Sequence, residues 1–245
     1  MRRSGARRSL RVAAAVLLAV GVVAGSAATA VAIVRAPTVG EAQSDITAGQ
    51  LMLAKANSLP PPPTGAAGSN LDAVGDSVML ASAPQLREVF PGMDIDAVVS
   101  RQMNALPAIV KKLKDTGALR PILVVGLGTN GPIARETLED VRRMLGPNRQ
   151  MVVVNVEEPR SWESEVNSTL SQFASDYQNV ELSDWYTAIS PHISILAHDH
   201  IHPGPTGGRI YTAALQAALS RLAALPPYPV VSDFFPTRAD LSTQK

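Results

Sequence analysis

The sequence has no cysteine and few aromatic residues. Of its 245 residues, 4% are aromatic and only four are histidine. The absence of cysteine excludes disulfides, thiol catalysis and cysteine-bound metal, and a domain of this size folds without disulfides. Net charge is also low, at +1 with neutral histidine. Nucleic-acid binding needs a concentrated basic patch, so we expect no nucleic-acid partner for the body of the chain.

The first 36 residues differ from the rest in charge and hydropathy. They hold six arginines and no acidic residue, while the remaining chain holds 16 basic and 21 acidic residues. Residues 12–34 form an uncharged run of 23 residues, and a helix needs about 20 to cross a bilayer. Five arginines precede this run, which predicts a cytoplasmic basic stub at residues 1–11 and an extracytoplasmic body.

We therefore expect a single-pass protein of the cell membrane, held by an uncleaved signal anchor. Small residues at positions 26–32 would also suit a signal peptidase, and cleavage there would give a secreted protein. Residues 35–70 include four consecutive prolines followed by small residues. This composition predicts an extended linker, with one short amphipathic helix at residues 46–56. Residues 226–245, with four prolines, are predicted to form an irregular tail.

Residues 71–225 have the pattern of one folded domain, in which short apolar runs alternate with helical segments. Strands are predicted at residues 71–74, 95–99, 121–127, 151–156 and 180–182, and helices at residues 82–90, 103–113, 135–145, 162–177 and 206–225. The helix at 82–90 is expected to start at Ser82 as its capping residue. The alternation indicates an α/β domain whose parallel sheet is covered by helices on both faces.

Polar residues follow the first three predicted strands. They are Gly75-Asp76-Ser77, Ser100-Arg101-Gln102 and Gly128-Thr129-Asn130-Gly131. The carboxyl ends of parallel strands meet at one edge of the sheet, where ligands bind in open α/β folds. Ser77, delivered there by a tight turn, is a candidate nucleophile. The alternative is that Asp76 or Ser77 only caps the helix that follows.

A second polar motif, His198-Asp199-His200-Ile201-His202, lies just before the last predicted helix. Asp199 and His202 are three residues apart, so a turn would place both side chains on one side. Asp199 could then hold His202 in one tautomer, and His202 could take the proton of Ser77 during attack on an acyl carbon. Asn130 and the backbone N–H groups of Ser77 and Ser100 are candidate donors to the developing oxyanion.

Gly-Asp-Ser, Gly-Thr-Asn and Asp-x-x-His, in this order, resemble blocks I, III and V of the SGNH (GDSL-type) hydrolase superfamily over about residues 71–222. Three further motifs, at residues 99–102, 159–167 and 184–186, resemble the SGNH domains fused to bacterial membrane acyltransferases that O-acylate envelope glycans. The resemblance implies a three-layer α/β/α sandwich around a five-stranded parallel sheet, as in flavodoxin-like folds. It also implies Ser77 as nucleophile, His202 as general base, Asp199 as its orienting residue and Asn130 as an oxyanion donor.

The resemblance further implies transfer of an acyl group, such as acetyl, to or from a cell-envelope glycan through an acyl-Ser77 intermediate and without a cofactor. Because the sequence has one apolar segment, a separate integral-membrane protein is the expected acyl donor. General esterase or lipase action with water as acceptor is the alternative. In this family, glycine is usual at the position of Ser100 and common at that of His200. These departures motivate a third hypothesis, a catalytically weak, tethered glycan-binding module.

Two side chains near the predicted site are candidate substrate ligands. Arg101 could bind a substrate carboxylate, with a surface salt bridge as the alternative. Trp162 could stack on a sugar ring or pack against the domain, and packing is expected for Trp185.

The alternating histidines allow a different hypothesis. His198, His200 and His202 would share one face of an extended chain, and His192 could add a ligand for a divalent metal. We expect no metal here, with His192, His198 and His200 as solvated loop residues.

Overall fold

The structure is a computed structural model that describes residues 39–58 and 67–225. Its strands are β1 (Leu71–Gly75), β2 (Asp94–Ala97), β3 (Ile122–Gly126), β4 (Gln150–Val154) and β5 (Val180–Ser183). Its helices are α1 (Val39–Ser58), α2 (Ser77–Val89), α3 (Leu106–Asp115), α4 (Arg135–Leu145), α5 (Glu163–Asp176), α6 (Trp185–Ile189) and α7 (Pro205–Ala223). Short 3-10 helices cover Met103–Ala105 and Ser190–Ile195.

The membrane segment predicted at residues 12–34 lies outside the described residues, as do the basic stub and the carboxyl-terminal tail. Within residues 39–58 and 67–225, no helix combines the length and the apolarity that crossing a bilayer requires.

The five strands form one parallel sheet in the order β2-β1-β3-β4-β5, which confirms the predicted α/β class and strand number. Gly75 at the end of β1 is in register with Ala97 of β2 and Gly126 of β3. These three strands therefore end side by side. The loops that follow them leave the same edge of the sheet, as the sequence predicts.

Each face of the sheet is covered by its own apolar cluster and its own helices. On one face, residues such as Ala73, Met79 and Leu215 join the sheet to α2, α6 and α7. On the other, residues such as Val74 and Leu138 join it to α3, α4 and α5. Ala73 and Val74 are consecutive and point to opposite faces, since side chains alternate along a strand. The helices thus lie in two layers around the sheet.

Helix α2 begins five residues earlier than predicted. Its cap is Asp76, whose Oδ1 accepts a hydrogen bond from the backbone N–H of Val78 at 3.0 Å. The predicted capping residue, Ser82, lies inside the helix, and its hydroxyl donates to the carbonyl of Val78 at 2.9 Å. Both residues are good helix caps, and the turn out of β1 decides which of them acts. This earlier start makes Ser77 the first residue of α2.

Helix α1 lies within the linker predicted for residues 35–70. It is longer than the helix expected at residues 46–56, it packs against α2, and its Ile46 is buried. Gly49 lies so close to the backbone carbonyl of Leu80 that a side chain there would collide with the oxygen. That carbonyl lacks its usual helical donor because Pro84, four residues on in α2, has no N–H. Residues 39–58 therefore belong to the folded body.

Candidate active site

Ser77 lies at the carboxyl edge of the sheet, where β1 turns into α2. The turn is fixed to β3, because the backbone N–H of Asp76 donates to the carbonyl of Gly126 at 3.1 Å. A side chain at Gly75 would collide with Met79, its Cβ coming within 2.5 Å of the Cβ of Met79. Glycine thus allows α2 to fold back sharply over β1. The turn leaves Ser77 only 4% exposed.

A short hairpin between the last 3-10 helix and α7 carries the other two residues of the predicted triad. Leu196 and Pro203 form an antiparallel bridge, and the N–H of Ala197 donates to the carbonyl of His202 at 3.0 Å. His200 takes the left-handed conformation at the tip, with φ of 61°. The hairpin therefore holds Asp199 and His202 on one side, as their spacing predicts.

The three residues form one hydrogen-bonded chain. His202 Nε2 lies 2.8 Å from Ser77 Oγ, and His202 Nδ1 lies 2.7 Å from Asp199 Oδ2. Since a carboxylate accepts, the Nδ1 atom carries the proton, and the free lone pair of Nε2 faces the serine hydroxyl. This is the arrangement in which imidazole can remove a hydroxyl proton.

Asp199 is held as a carboxylate by the hairpin itself. Partial burial raises its pKa, but the hydrogen bond from His202 and those from the backbone N–H groups of Ile201 and His202 outweigh burial, and the pKa is lowered overall. The two backbone bonds to Oδ1 measure 3.0 and 3.1 Å. The carboxylate is thereby fixed in orientation and in charge.

The loops after β2 and β3 are joined through Asn130. Its side-chain Nδ2 donates to the backbone carbonyl of Arg101 at 3.2 Å, and its backbone carbonyl accepts from Gln102 Nε2 at 3.0 Å. Ser100, in the same β2 loop, has φ of 61°. Both positions where glycine is usual in the SGNH family, Ser100 and His200, thus adopt a backbone conformation that glycine enters most easily.

The side chain of Arg101 connects the ends of β1 and β2 by hydrogen bonds. Its guanidinium is bound to the carboxylate of Asp96 at 2.6 Å, to the carbonyl of Asp96, and to the carbonyl of Gly75 at 3.4 Å. The side chain is 13% exposed. The salt-bridge alternative therefore describes Arg101 in this structure, in place of a free clamp for substrate.

Trp162 and Trp185 both pack in the domain. Trp162 is partly buried against the cluster beneath α3, α4 and α5, and Trp185 is 1% exposed. The ring of Trp185 meets that of Tyr211 edge-on, with centroids 5.3 Å apart. Packing was predicted for Trp185. Trp162, for which stacking on a sugar ring was the alternative, packs against the domain as well.

The histidines of the metal hypothesis do not converge in the described ranges. His198 and His200 are exposed, while both ring nitrogens of His202 face Asp199 and Ser77. No group of three or more His, Asp or Glu side chains in the described part of the chain is arranged to hold a metal ion.

The loop after β4 contributes carboxylates that the sequence analysis did not select. Glu158 is 2% exposed and accepts from Arg160 Nε at 3.0 Å. Burial raises its pKa, while Arg160 and the charge of His202 act in the opposite direction. Burial and the nearby carboxylates of Glu163 and Glu158 raise the pKa of Glu157 to about 7. The signal for this loop was two consecutive glutamates directly after the strand predicted at residues 151–156.

No family model matches the sequence. It is similar to the peptidoglycan O-acetyltransferase OatA of Listeria monocytogenes, with 32% identity over 149 residues, which is 61% of this chain and 24% of that protein. The O-acetyltransferase OatA of Staphylococcus aureus is 31% identical over 140 residues, or 57% of this chain and 23% of that protein. The match thus spans about a quarter of the length of these curated relatives.

Solved structures agree in fold. The C-terminal catalytic domain of Streptococcus pneumoniae peptidoglycan O-acetyltransferase A superposes with a TM-score of 0.58 at 20% identity, covering 64% of this chain and 96% of that domain. A G-D-S-L family lipolytic protein from Veillonella parvula gives 0.52 at 16% identity, covering 62% and 98%. The resemblance to the SGNH hydrolases is confirmed. The relatives support the predicted class, an enzyme that acts on acyl esters.

Proposed function

We propose that this protein is a membrane-anchored, extracytoplasmic serine acyl-ester enzyme of the SGNH type. It transfers O-acetyl groups to or from cell-envelope glycans through an acyl-Ser77 intermediate. The observation that carries the proposal is the hydrogen-bonded chain from Ser77 through His202 to Asp199, at 2.8 and 2.7 Å. The names of the relatives, which are O-acetyltransferases of peptidoglycan, point to the same chemistry and to a glycan acceptor.

In the first half-reaction, neutral His202 accepts the proton of Ser77 as the serine oxygen attacks the carbonyl carbon of the acyl donor. Asp199 stabilises the imidazolium that forms. The tetrahedral intermediate collapses, the bond from carbon to the donor alcohol breaks, and His202 returns the proton to that alcohol. In the second half-reaction, an acceptor hydroxyl attacks the acyl carbon and loses its proton to His202. The bond from that carbon to Ser77 Oγ then breaks, and His202 returns the proton to Oγ, which leaves the acyl group on the acceptor and regenerates Ser77.

The oxyanion of each intermediate needs hydrogen-bond donors. The N–H of Ser77 stands in the first turn of α2, where backbone donors have no intrahelical acceptor and the helix dipole favours negative charge. Ser100 presents a backbone N–H from the neighbouring loop. Asn130 has a second amide hydrogen besides the one it donates to Arg101. We assign these three groups to the oxyanion hole.

Location and partner complete the proposal. Residues 12–34 anchor the protein as a single span, the basic residues 1–11 stay in the cytoplasm, and the SGNH-type domain faces the envelope. A separate integral-membrane protein that carries activated acyl groups is the acyl donor in this proposal. Amino-terminal sequencing of the protein purified from membranes tests the anchor, because cleavage among residues 26–32 would remove it.

The chemistry is tested by labelling the full-length protein with a serine-directed fluorophosphonate. We expect labelling of the wild type, none of Ser77→Ala, and full labelling of Ser168→Ala, which removes an exposed serine from α5. A folded wild type that resists the reagent would contradict the enzyme and favour the glycan-binding module.

A second assay separates transfer from hydrolysis. The full-length protein is incubated with an acetyl ester, with and without a peptidoglycan-derived oligosaccharide, and acetate and acetylated glycan are separated. Acetylated glycan that requires Ser77 supports the transferase. Acetate alone, at the same rate with and without the glycan, would replace it by an esterase.

A further inference from the structure

Asp76 and Tyr211 are buried polar residues that the triad does not use. They are 1% and 2% exposed. Oδ1 of Asp76 caps α2, but its Oδ2 is buried and has no hydrogen-bond partner among the described residues. The hydroxyl and backbone N–H of Thr129 lie near the carboxylate and lower its pKa, but neither group forms a hydrogen bond with Oδ2. A buried carboxylate oxygen without a partner is costly, so this atom requires an explanation.

A small cavity lies between the two side chains, directly beneath the turn that carries Ser77. Its lining includes Asp76, Gly126, Thr129, Trp185 and Tyr211, and about 10 Å³ of it is open to the centre of a water molecule. A volume of this order holds one water. The glycine keeps it open, because a Cβ on residue 126 would lie 2.7 Å from the Tyr211 hydroxyl.

The electrostatics favour a hydrogen-bonded bridge in this cavity. Burial raises the pKa of Asp76. Burial and the charge of Asp76 also raise the pKa of Tyr211. The phenol therefore keeps its proton at every physiological pH and acts as a donor. Two polar groups that face one water-sized space satisfy the requirement of buried water for at least two partners.

We propose that one water molecule occupies this cavity, accepts a hydrogen bond from the Tyr211 hydroxyl and donates one to Asp76 Oδ2. The bridge joins Tyr211 of α7 to Asp76, the residue that caps α2. Because His202 lies just ahead of α7 and Ser77 begins α2, the bridge fixes the distance between the two ends of the triad. Tyr211 is thus a positioning residue. Its effect on rate rests on the proposed function of Ser77, whereas the water itself does not.

The direct test is a crystal structure of the protein at a resolution that shows ordered water. Density for a water within hydrogen-bonding distance of both Asp76 Oδ2 and the Tyr211 hydroxyl supports the proposal. An empty cavity, or a direct contact between the two side chains, overturns it.

The functional test compares Tyr211→Phe with Tyr186→Phe in the full-length protein. Each change removes one phenolic oxygen, and Tyr186 is exposed, at 39%. We expect Tyr211→Phe to lower the thermal midpoint by about 2–6 °C and to slow fluorophosphonate labelling about tenfold. For a small acetyl ester, kcat should fall with KM unchanged. Tyr186→Phe should match the wild type.

A thermal midpoint that does not fall in Tyr211→Phe would reject the water bridge. If the Tyr211 hydroxyl has no partner, its removal relieves an unsatisfied buried group, and the midpoint would stay equal or rise. If the fluorophosphonate labels Tyr211→Phe at the same rate as the wild type, the positioning role of Tyr211 is likewise refuted. The wild-type arm keeps the two proposals apart, because a failure of the proposed function would appear as an unlabelled wild type.

Discussion

Both carboxylate oxygens of Asp199 form hydrogen bonds with His202. Oδ2 faces Nδ1 of the imidazole at 2.7 Å, and Oδ1 accepts the backbone N–H of the same histidine at 3.1 Å. The ring and the backbone that carries it are therefore oriented by one carboxylate. This double contact follows from a separation of three residues within a tight hairpin.

Replacing Asp199 by asparagine tests that relationship. The amide can donate to Nδ1, which would place the imidazole proton on Nε2, so the ring could no longer accept the proton of Ser77. We expect kcat for an acetyl ester to fall on the order of 10³–10⁴, with the protein still folded by thermal melting. Asp115→Asn, which removes an exposed carboxylate from α3, is the control for lost charge. Turnover close to the wild type in Asp199→Asn would show that the hairpin carboxylate does not select the tautomer.

Asn130→Ala tests the oxyanion assignment. The variant keeps the backbone of the β3 loop but loses the side-chain donor. We expect turnover to fall on the order of 10²–10³, with a smaller change in KM, as measured by steady-state kinetics on an acetyl ester. Asn70→Ala, an exposed residue next to the opposite end of β1, should behave as the wild type. Full activity in Asn130→Ala would remove this residue from the hole.

The strands of this fold were predictable because each is an apolar run bounded by turn residues. Their observed ends lie within two residues of the predicted ends, and the parallel order places the loops after β1, β2 and β3 at one edge. The start of α2 was not predictable from pattern alone. Asp76 and Ser82 both suit a helix cap, and the choice depends on the hydrogen bond from the backbone N–H of Asp76 to the carbonyl of Gly126 in β3, a contact distant in sequence.

Other features of the site depend on contacts that are distant in sequence. The sequence shows a tyrosine in the last helix, but not that it faces the turn before Ser77. It shows Arg101 at a strand end, where carbonyl groups and a nearby aspartate compete with any ligand for the guanidinium. The helix α6 was missed because five residues are too few for a periodic pattern. Its cap is Asp184, whose Oδ1 accepts a hydrogen bond at 2.7 Å from the side chain of Asn155, the residue after β4.

The left-handed conformation of His200 predicts an unusual response to glycine. For L-residues this conformation costs about 1–2 kcal/mol, whereas glycine loses about 0.4–1 kcal/mol through its freer unfolded state. We expect His200→Gly to raise the thermal midpoint by about 1–3 °C. His198→Gly, two residues away and also exposed, should lower it. Equal losses in both variants would mean that His200 is not strained.

Glu157 predicts how stability depends on pH. Its folded pKa is raised from 4.5 to about 7, so between these values the unfolded chain loses the proton first, and stability falls as pH rises. Glu157→Gln removes this loss. Its thermal midpoint should exceed that of the wild type at pH 8, and the difference should shrink toward pH 5. Glu88→Gln on α2 is the control for a lost surface charge. Parallel curves for wild type and Glu157→Gln would refute the raised pKa.

The contact between Gly49 and Leu80 determines where a shortened recombinant version of this protein can begin. A fragment that starts at residue 67 keeps the sheet, Ser77 and His202, but it strips α1 from α2. The carbonyl freed by Pro84 would then meet water, together with the apolar side chains that Ile46 covers. A fragment that starts ahead of Val39 keeps the contacts between α1 and the nucleophile helix.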